Sequence, residues 1–295
     1  MKDPRPTTVL VLGASGMLGN AVLRLFAASP GYAAVGSMRS ASALPLLPAA
    51  TQELIITGVD VENADSLTRL FGTVKPQVVI NCVGLVKQLA HADDPLLALP
   101  INALLPHRLA RLCEVAGARL VHVSTDCVFS GAKGQYVEGD APDAQDLYGR
   151  SKLLGEVDYA NAVTLRTSII GHELGSAHGL VGWFLAQRQR AKGYRRAVFS
   201  GLPTVELARV MRDVVLPRPE LRGVYHVSAA PINKFDLLTL VAQAYGKDIQ
   251  IDADDAVQID RSLDSSRFRE RTGYTAHDWP TLVRQMHAFQ ASATL

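Results

Sequence analysis

Tyr148 and Lys152 stand four residues apart in the run Tyr148-Gly149-Arg150-Ser151-Lys152, and a phenol beside an ammonium is a proton-transfer device. If the run is helical the two side chains share a face, because residues four apart are neighbours on a helix. A free phenol ionises near 10, too high for acid–base work at neutral pH unless its anion is favoured. A cation about 4 Å away contributes on the order of 4 kcal/mol at an effective dielectric of 20. At about 1.4 kcal/mol per pKa unit, the lysine lowers the phenol's pKa by at most roughly three, toward working pH. An exposed tyrosine and an exposed lysine would show the same spacing, so the pair needs context. Ser124-Thr125-Asp126 supplies it: these small polar residues end the apolar run 119–124, where a hydroxyl can meet a substrate oxygen beside the tyrosine. Taken singly, either hydroxyl could equally cap the following turn.

A second chemistry-bearing segment lies near the start. Gly13-Ala14-Ser15-Gly16-Met17-Leu18-Gly19 is a GxxGxxG run between the β-branched stretch 8–12 and a helical pattern over 17–28, with Leu18, Val22, Leu25 and Phe26 on one face. One glycine permits a tight turn, the next lets backbone N–H groups approach a pyrophosphate, and the third lets the helix pack close to the sheet. The helix amino terminus favours the negative charge. In this strand–turn–helix setting the run reads as a dinucleotide site, with Gly13, Ser15, Gly16, Met17, Leu18 and Gly19 at the phosphates. The second apolar run, 33–36, leads to Ser37-Met38-Arg39-Ser40, with no carboxylate for ribose hydroxyls and an arginine suited to a 2′-phosphate. NADP(H) is therefore preferred, with NAD(H) possible. Asp60 and Val61, after the third run, are placed near the adenine, although a loop aspartate also commonly caps a turn.

These segments must be positioned by an alternating fold. Apolar runs at 8–12, 33–36, 54–57, 78–82, 119–124 and 162–166 alternate with helical patterns at 17–28, 66–72, 95–117 (with a kink at Pro106) and 151–159. Near-continuous apolar strands between helices mean a parallel sheet covered on both faces, a Rossmann-type doubly wound α/β fold. Ligands then bind at the carboxyl ends of the strands, in the loops after Leu12, Cys82 and Ser124. Beyond residue 166 the alternation loosens, with a strand at 223–227, a helix at 235–246 and a charged helical tail from Arg261. The reading is a dinucleotide-binding domain over 1–168, rejoined by 202–228, and a smaller substrate lobe from 169–201 and 229–295.

Composition narrows the classes. The 295-residue chain carries 30 basic and 28 acidic residues, a net charge of +2, so it has no electrostatic footprint for nucleic acid. Its three cysteines, Cys82, Cys113 and Cys127, lack metal or redox-pair spacing and read as free thiols in a reducing compartment. The start is charged and proline-bearing where a signal peptide needs an apolar run, and the tract 41–50 is broken by Pro45 and Pro48. A cytoplasmic protein with no membrane partner is expected. The eight histidines show no metal spacing; His122 and His226 read as core residues, and no metal is expected. Asp252 to Asp255 reads as a solvated loop.

Together the glycine loop, Asn81, Asn102, Ser124-Thr125-Asp126 and the Tyr148–Lys152 spacing resemble the extended short-chain dehydrogenase/reductases. The run 124–131 (Ser-Thr-Asp-Cys-Val-Phe-Ser-Gly) followed by 148–152 is similar to the dTDP-4-dehydrorhamnose reductase family. The likeness continues through Leu165-Arg166-Thr167-Ser168, Pro203-Thr204, Gly223-Val224-Tyr225-His226 and Leu263-Asp264-Ser265-Ser266, nearly the whole chain. The resemblance implies a triad in which Tyr148 donates the proton, Lys152 binds the nicotinamide ribose and tunes Tyr148, and Thr125 orients the sugar oxygen. Hydride would pass to the 4-keto carbon of a nucleotide-linked 6-deoxyhexose, in surface polysaccharide synthesis. Asn102 would belong to a relay behind Lys152, or serve packing alone. A homodimer is a family-level expectation.

Two departures bear on the chemistry. Related 4,6-dehydratases carry a glutamate after Thr-Asp, whereas Cys127 stands here and cannot supply that second carboxyl, which favours simple reduction. After Asn81 the family has small residues and then a tyrosine, whereas this chain has Cys82-Val83-Gly84-Leu85-Val86-Lys87-Gln88. That loop is expected to face the nicotinamide and sugar, with Lys87 and Gln88 as candidate substrate contacts or as solvated loop. Trp183, Arg195 and Arg196 are candidates for the nucleotide base or diphosphate, with core packing the alternative for Trp183. The rival functions are an epimerase that keeps its NAD bound and a non-catalytic NADP-binding regulatory subunit.

Overall fold

Seven of the β-branched and apolar runs become parallel strands of one sheet: β1 (Thr7–Leu12), β2 (Tyr32–Ser37), β3 (Ile55–Ile56), β4 (Val78–Asn81), β5 (Arg119–Thr125), β6 (Ala162–Thr167) and β7 (Gly223–His226). The computed structural model describes residues 5–85 and 93–292. Strand order is β7-β6-β5-β4-β1-β2-β3, so the chain reverses its direction of winding between β1 and β4. The sheet is Rossmann-like, and its switch point is where such sheets bind ligands. Leu12 pairs with Ser37 on one side and Asn81 on the other, and Thr125 pairs with Thr167, so the strand ends open on one edge.

Side-chain alternation along the strands divides the interior into two layers. Val9, Val11, Ile80 and Val121 pack with Leu18, Val22 and Phe26 of α1 (Met17–Ala27). Leu10, Leu12, Val79 and Leu120 pack on the other side with Leu67, Leu70 and Phe71 of α2 (Ala64–Val74) and Leu105 and Leu109 of α3 (Leu105–Ala116). The first layer continues without a break into the later helices, through Leu237, Leu238, Trp279 and Leu282.

The expected kink at Pro106 lies one turn earlier. Residues 99–104 form a π-helical turn ahead of α3, with Asn102 inside it. Proline has no N–H to give the carbonyl four residues back, here that of Asn102. Gly155 packs against this carbonyl, and an added Cβ there would sit 1.9 Å from the Asn102 oxygen. The helix carrying Tyr148 and Lys152, expected over 151–159, is α4 (Leu147–Leu154). Asp146 starts it early by accepting from the Gly149 N–H at 2.8 Å, a side-chain N-cap.

Past β6, Ile169–Ile170 pairs with Leu202–Pro203, and Ala197–Phe199 lies between Ile232–Asn233 and Ile259–Asp260. Helices α5 (Leu180–Ala186), α6 (Thr204–Arg209), α7 (Lys234–Ala244), α8 (Ser266–Thr272) and α9 (Trp279–Ala291) complete the chain. The aspartates expected in a loop are mostly strand residues. Gln250–Asp254 pairs in parallel with Arg190–Tyr194, and Arg190–Asp252, Lys192–Asp254 and Arg195–Asp255 form exposed ion pairs along it.

Candidate active site

The glycine loop is shaped by close backbone contacts. Gly13 has φ +79°, and an added Cβ would lie 3.1 Å from the Cys82 carbonyl and from Val83 Cγ2. At Gly19 an added Cβ would lie 2.1 Å from the Gly13 oxygen, so only glycine lets α1 start this close to the strand end. Gly16 caps α1 without a side-chain hydrogen bond, the first turn has no acidic residue, and Ser15 and Gly16 are exposed. First-turn N–H groups without a side-chain cap present a partial positive charge to an anion. Arg39 is exposed two residues past the end of β2, on the same sheet edge, and makes no hydrogen bond or ion pair among the described residues.

Asp60 is held by its own turn. Its Oδ1 accepts from the Glu62 N–H at 3.0 Å, and its N–H donates to Ser66 Oγ at 3.1 Å, as in a turn that leads into α2. Val61 is half-buried against the second core layer.

The loop after β4 joins the glycine loop to the tyrosine–lysine helix. The Cys82 N–H donates to the Leu12 carbonyl at 3.1 Å, and the Val83 N–H to Asn81 Oδ1 at 3.1 Å. Gly84 is exposed, and a Cβ there would lie 3.5 Å from Asn102 Oδ1 and 3.9 Å from Lys152 Nζ. Asn102 accepts from the Leu85 N–H at 2.9 Å and donates to Ser151 Oγ at 3.2 Å, while Ser151 Oγ donates to the Tyr148 carbonyl at 2.9 Å. Lys87 and Gln88 lie outside the described residues.

Tyr148 is half-buried at the start of α4, which follows the turn opened by Thr125 and Asp126. Burial, followed by the charge that Cys127 would carry, raises the phenol above its ordinary value, and Thr125 opposes them. Thr125 Oγ1 donates to Asp126 Oδ1 at 3.2 Å and accepts from the Cys127 N–H at 3.1 Å. Burial also raises the Asp126 carboxyl, opposed by the charges of Arg261 and Lys234 and by the Thr125 hydroxyl.

Lys152 Nζ donates to the Val123 carbonyl at 2.8 Å. Burial brings this ammonium down to about 8, opposed by Glu156 and Cys82. The Cys82 thiol is pushed up to about 12 by burial, with Lys152 pulling the other way. Burial thus favours the neutral form of both groups.

Ser124, expected beside the substrate oxygen, turns away from Tyr148. Its Oγ donates to Glu156 Oε1 at 2.7 Å, beneath the site. Consecutive strand residues face opposite sides of the sheet, so Thr125 at the site puts Ser124 behind it. Glu156 and Arg166 form a buried pair, with Nε to Oε1 at 2.8 Å and Nη2 to Oε2 at 2.5 Å. Arg166 also reaches His226 Nε2 at 2.9 Å, and His226 Nδ1 lies 2.9 Å from the Tyr136 carbonyl. The pair was missed in the sequence, although an arginine closing an apolar strand demands a buried partner. His122 is fully buried with Nδ1 3.2 Å from Asn81 Nδ2, and its Nε2 has no partner among the described residues.

On α5, Trp183 is 37% exposed, whereas its neighbours Val181 and Phe184 are buried. Its indole makes no hydrogen bond or ring contact among the described residues. Arg195 is ion-paired with Asp255, which leaves Arg196 exposed beside it. The described residues contain no His/Cys/Asp/Glu group able to hold a metal.

A family model described as RmlD substrate binding domain matches residues 7–285. A probable low-salt glycan biosynthesis reductase of Haloferax volcanii is 34% identical over 178 residues, covering 59% of this chain. The match spans 57% of that relative's own length. Methionine adenosyltransferase 2 subunit beta of Danio rerio is 28% identical over 252 residues, covering 80% of this chain and 73% of that one. The crystal structure of dTDP-4-dehydrorhamnose reductase from Bacillus anthracis, in complex with NADP, superposes with a TM-score of 0.78 at 19% identity, covering 96% of this chain and 99% of that one. With the family model running from β1 into α9, the chain belongs to the RmlD substrate binding domain family.

Proposed function

We propose that the protein is an NADPH-dependent reductase of the 4-keto group of a nucleotide-linked 6-deoxyhexose, serving surface polysaccharide synthesis. The observation that carries this reading is the meeting, on one sheet edge, of the Gly13–Gly19 cradle, the 82–84 loop and the Thr125–Tyr148 hydroxyl pair. The cradle suits a dinucleotide, since Gly19 lets α1 start tight against the Gly13 backbone and α1 has no side-chain cap. Gly13, Ser15, Gly16, Met17, Leu18 and Gly19 would hold the pyrophosphate, Arg39 the 2′-phosphate, Val61 the adenine side, and Cys82, Val83 and Gly84 the nicotinamide end. When bound, the reduced nicotinamide supplies a hydride to the carbonyl carbon.

The chain's own residues handle the oxygen and the proton. Tyr148, kept neutral by burial, is in the protonation state that a donor to the carbonyl oxygen requires. Thr125, whose hydroxyl favours the ionised phenol, orients that oxygen. Lys152, at about 8, is mostly cationic at neutral pH and stabilises the tyrosinate left after transfer. Asn102 and Ser151 hold the lysine-bearing helix against the 82–85 loop. The second lobe, 169–201 with 229–295, takes the sugar nucleotide, and Asp126 lies on the sugar side.

A second reading, a non-catalytic NADP-binding subunit, is favoured by the likeness to methionine adenosyltransferase 2 subunit beta. Steady NADPH oxidation with a panel of dTDP- and UDP-linked 4-keto sugars separates the two. Turnover with any of them supports the reductase; NADPH binding without turnover supports the subunit; isomerisation of a sugar nucleotide without net NADPH loss supports an epimerase. No helix among the described residues is long and apolar enough to cross a membrane. The proposal extends to a cytoplasmic homodimer, which cell fractionation and sedimentation test.

A further inference from the structure

Beneath the catalytic edge, Glu156 and Arg166 form an ion pair whose side chains are only 7% and 5% exposed. Burying two charges costs about as much as their attraction returns, so stability alone is a weak reason for such a pair. Its contacts show what it holds. Ser124 Oγ donates to Glu156 Oε1 at 2.7 Å, and Lys152 Nζ donates to the Val123 carbonyl at 2.8 Å. Two successive residues of β5 thus bind two charged residues that stand four apart at the end of α4. Between them Gly155 packs on the Asn102 carbonyl, so the 152–156 segment is fixed at three points. Thr125 follows Ser124 and pairs with Thr167, as Ser124 pairs with Arg166. From Arg166 the network runs through His226 to the Tyr136 carbonyl, in the segment that follows Asp126.

The Glu156 carboxylate also opposes the loss of charge from Lys152. The elements packed on α4 bring few other charges. Residues 95–104 carry no titratable side chain. The Cys82 thiol, at about 12, the Cys127 thiol, at about 11, and His122, held well below its ordinary value, are all neutral near pH 8. Asp126 accepts from Thr125, and burial raises its carboxyl. His107 of α3 lies with Nε2 2.8 Å from the Leu154 carbonyl, at the far end of the helix. On α4 itself Asp146 caps the first turn and Arg150 is exposed. We infer that Glu156 is a positioning residue: held by Arg166 and Ser124, it fixes the end of α4 on β5 and sets the counter-charge of the lysine that supports Tyr148. The inference rests on the reductase reading above and adds the residue that sustains its lysine.

The test is the pH dependence of kcat in the full chain, with saturating NADPH and dTDP- or UDP-linked 4-keto-6-deoxyglucose. With Lys152 at about 8, wild type should lose activity on an alkaline limb centred near that pH. Glu156→Gln keeps an acceptor for Ser124 and removes the charge. The limb should then move down by about one pH unit, since Arg166 already shares this carboxylate. At about pH 9 kcat should fall roughly tenfold, and at about pH 6 by less than about threefold. Glutamine leaves the buried Arg166 unpaired, so the pair is also replaced whole, as Glu156→Gln with Arg166→Gln, which strands no charge and should show the same displacement. A limb that stays in place, with activity lost evenly across pH or not lost at all, overturns the inference and makes the pair structural. If wild type reduces no 4-keto sugar nucleotide, the reductase reading fails, and carbon-13 NMR of labelled lysine Cε still decides Glu156. The signal that Lys152→Met removes must titrate about one pH unit lower in the variants than in wild type, and an equal titration overturns the inference.

Discussion

Replacing Lys152 by methionine should stabilise the nucleotide-stripped protein at neutral pH while removing its activity. Lys152 is 6% exposed, and burial lowers its ammonium from the ordinary 10.5 to about 8. That fall is worth about 3 kcal/mol of stability. Below about pH 8 the lysine is charged in both the folded and unfolded chain, and the full cost is present. Between about 8 and 10.5 the unfolded chain holds more protons than the folded one, so stability climbs with pH; above 10.5 the climb ends. Methionine removes the buried charge but leaves the Val123 carbonyl without its donor, an offset of about 1–3 kcal/mol. The net gain at neutral pH is therefore at most about 2 kcal/mol, and the pH slope is the cleaner signal. Thermal melts of both proteins across this range should change order: any lead of the variant at low pH gives way to a lead of the wild type at high pH, where a neutral lysine still donates to Val123. At roughly 2 °C per kcal/mol the wild type should gain about 6 °C relative to the variant. Parallel curves would refute the reasoning, because they would mean that the ammonium is not buried as a charge.

Two further substitutions probe the cradle. Gly19→Ala places a methyl 2.1 Å from the Gly13 oxygen, where backbone must move, so it should weaken NADPH binding at least about tenfold by fluorescence titration and destabilise the fold by about 1–3 kcal/mol. Arg39→Ala removes an exposed cation that has no partner among the described residues, so it should leave the melting temperature unchanged. It should weaken NADPH binding by roughly tenfold and spare NADH, measured as the ratio of the two dissociation constants.

The parallel sheet was legible because strands buried on both faces read as near-continuous apolar runs, as Val78, Val79 and Ile80 do in a strand with every residue buried. The glycine loop was legible because close backbone approach admits no other residue at Gly19. What escaped depended on direction rather than on residue type. Ser124 and Thr125 both looked like site hydroxyls, although strand alternation allows only one of them to face Tyr148. The spacing of Tyr148 and Lys152 put them on one helix, but it could not show that the Val123 carbonyl takes the lysine's proton donor. Asp60 and Arg195 were candidates by type, and local partners claimed both: a turn N–H and the Asp255 carboxylate.

The central claim is that Tyr148 protonates a sugar carbonyl as a hydride reaches its carbon. It is tested most directly by incubating wild type and Tyr148→Phe with NADPH deuterated at the transferring position and a 4-keto nucleotide sugar, then reading the product by NMR. Wild type should place one deuterium on the former carbonyl carbon, while Tyr148→Phe should bind NADPH normally and form almost none of this product. Labelled product from Tyr148→Phe at near wild-type rates would contradict the account.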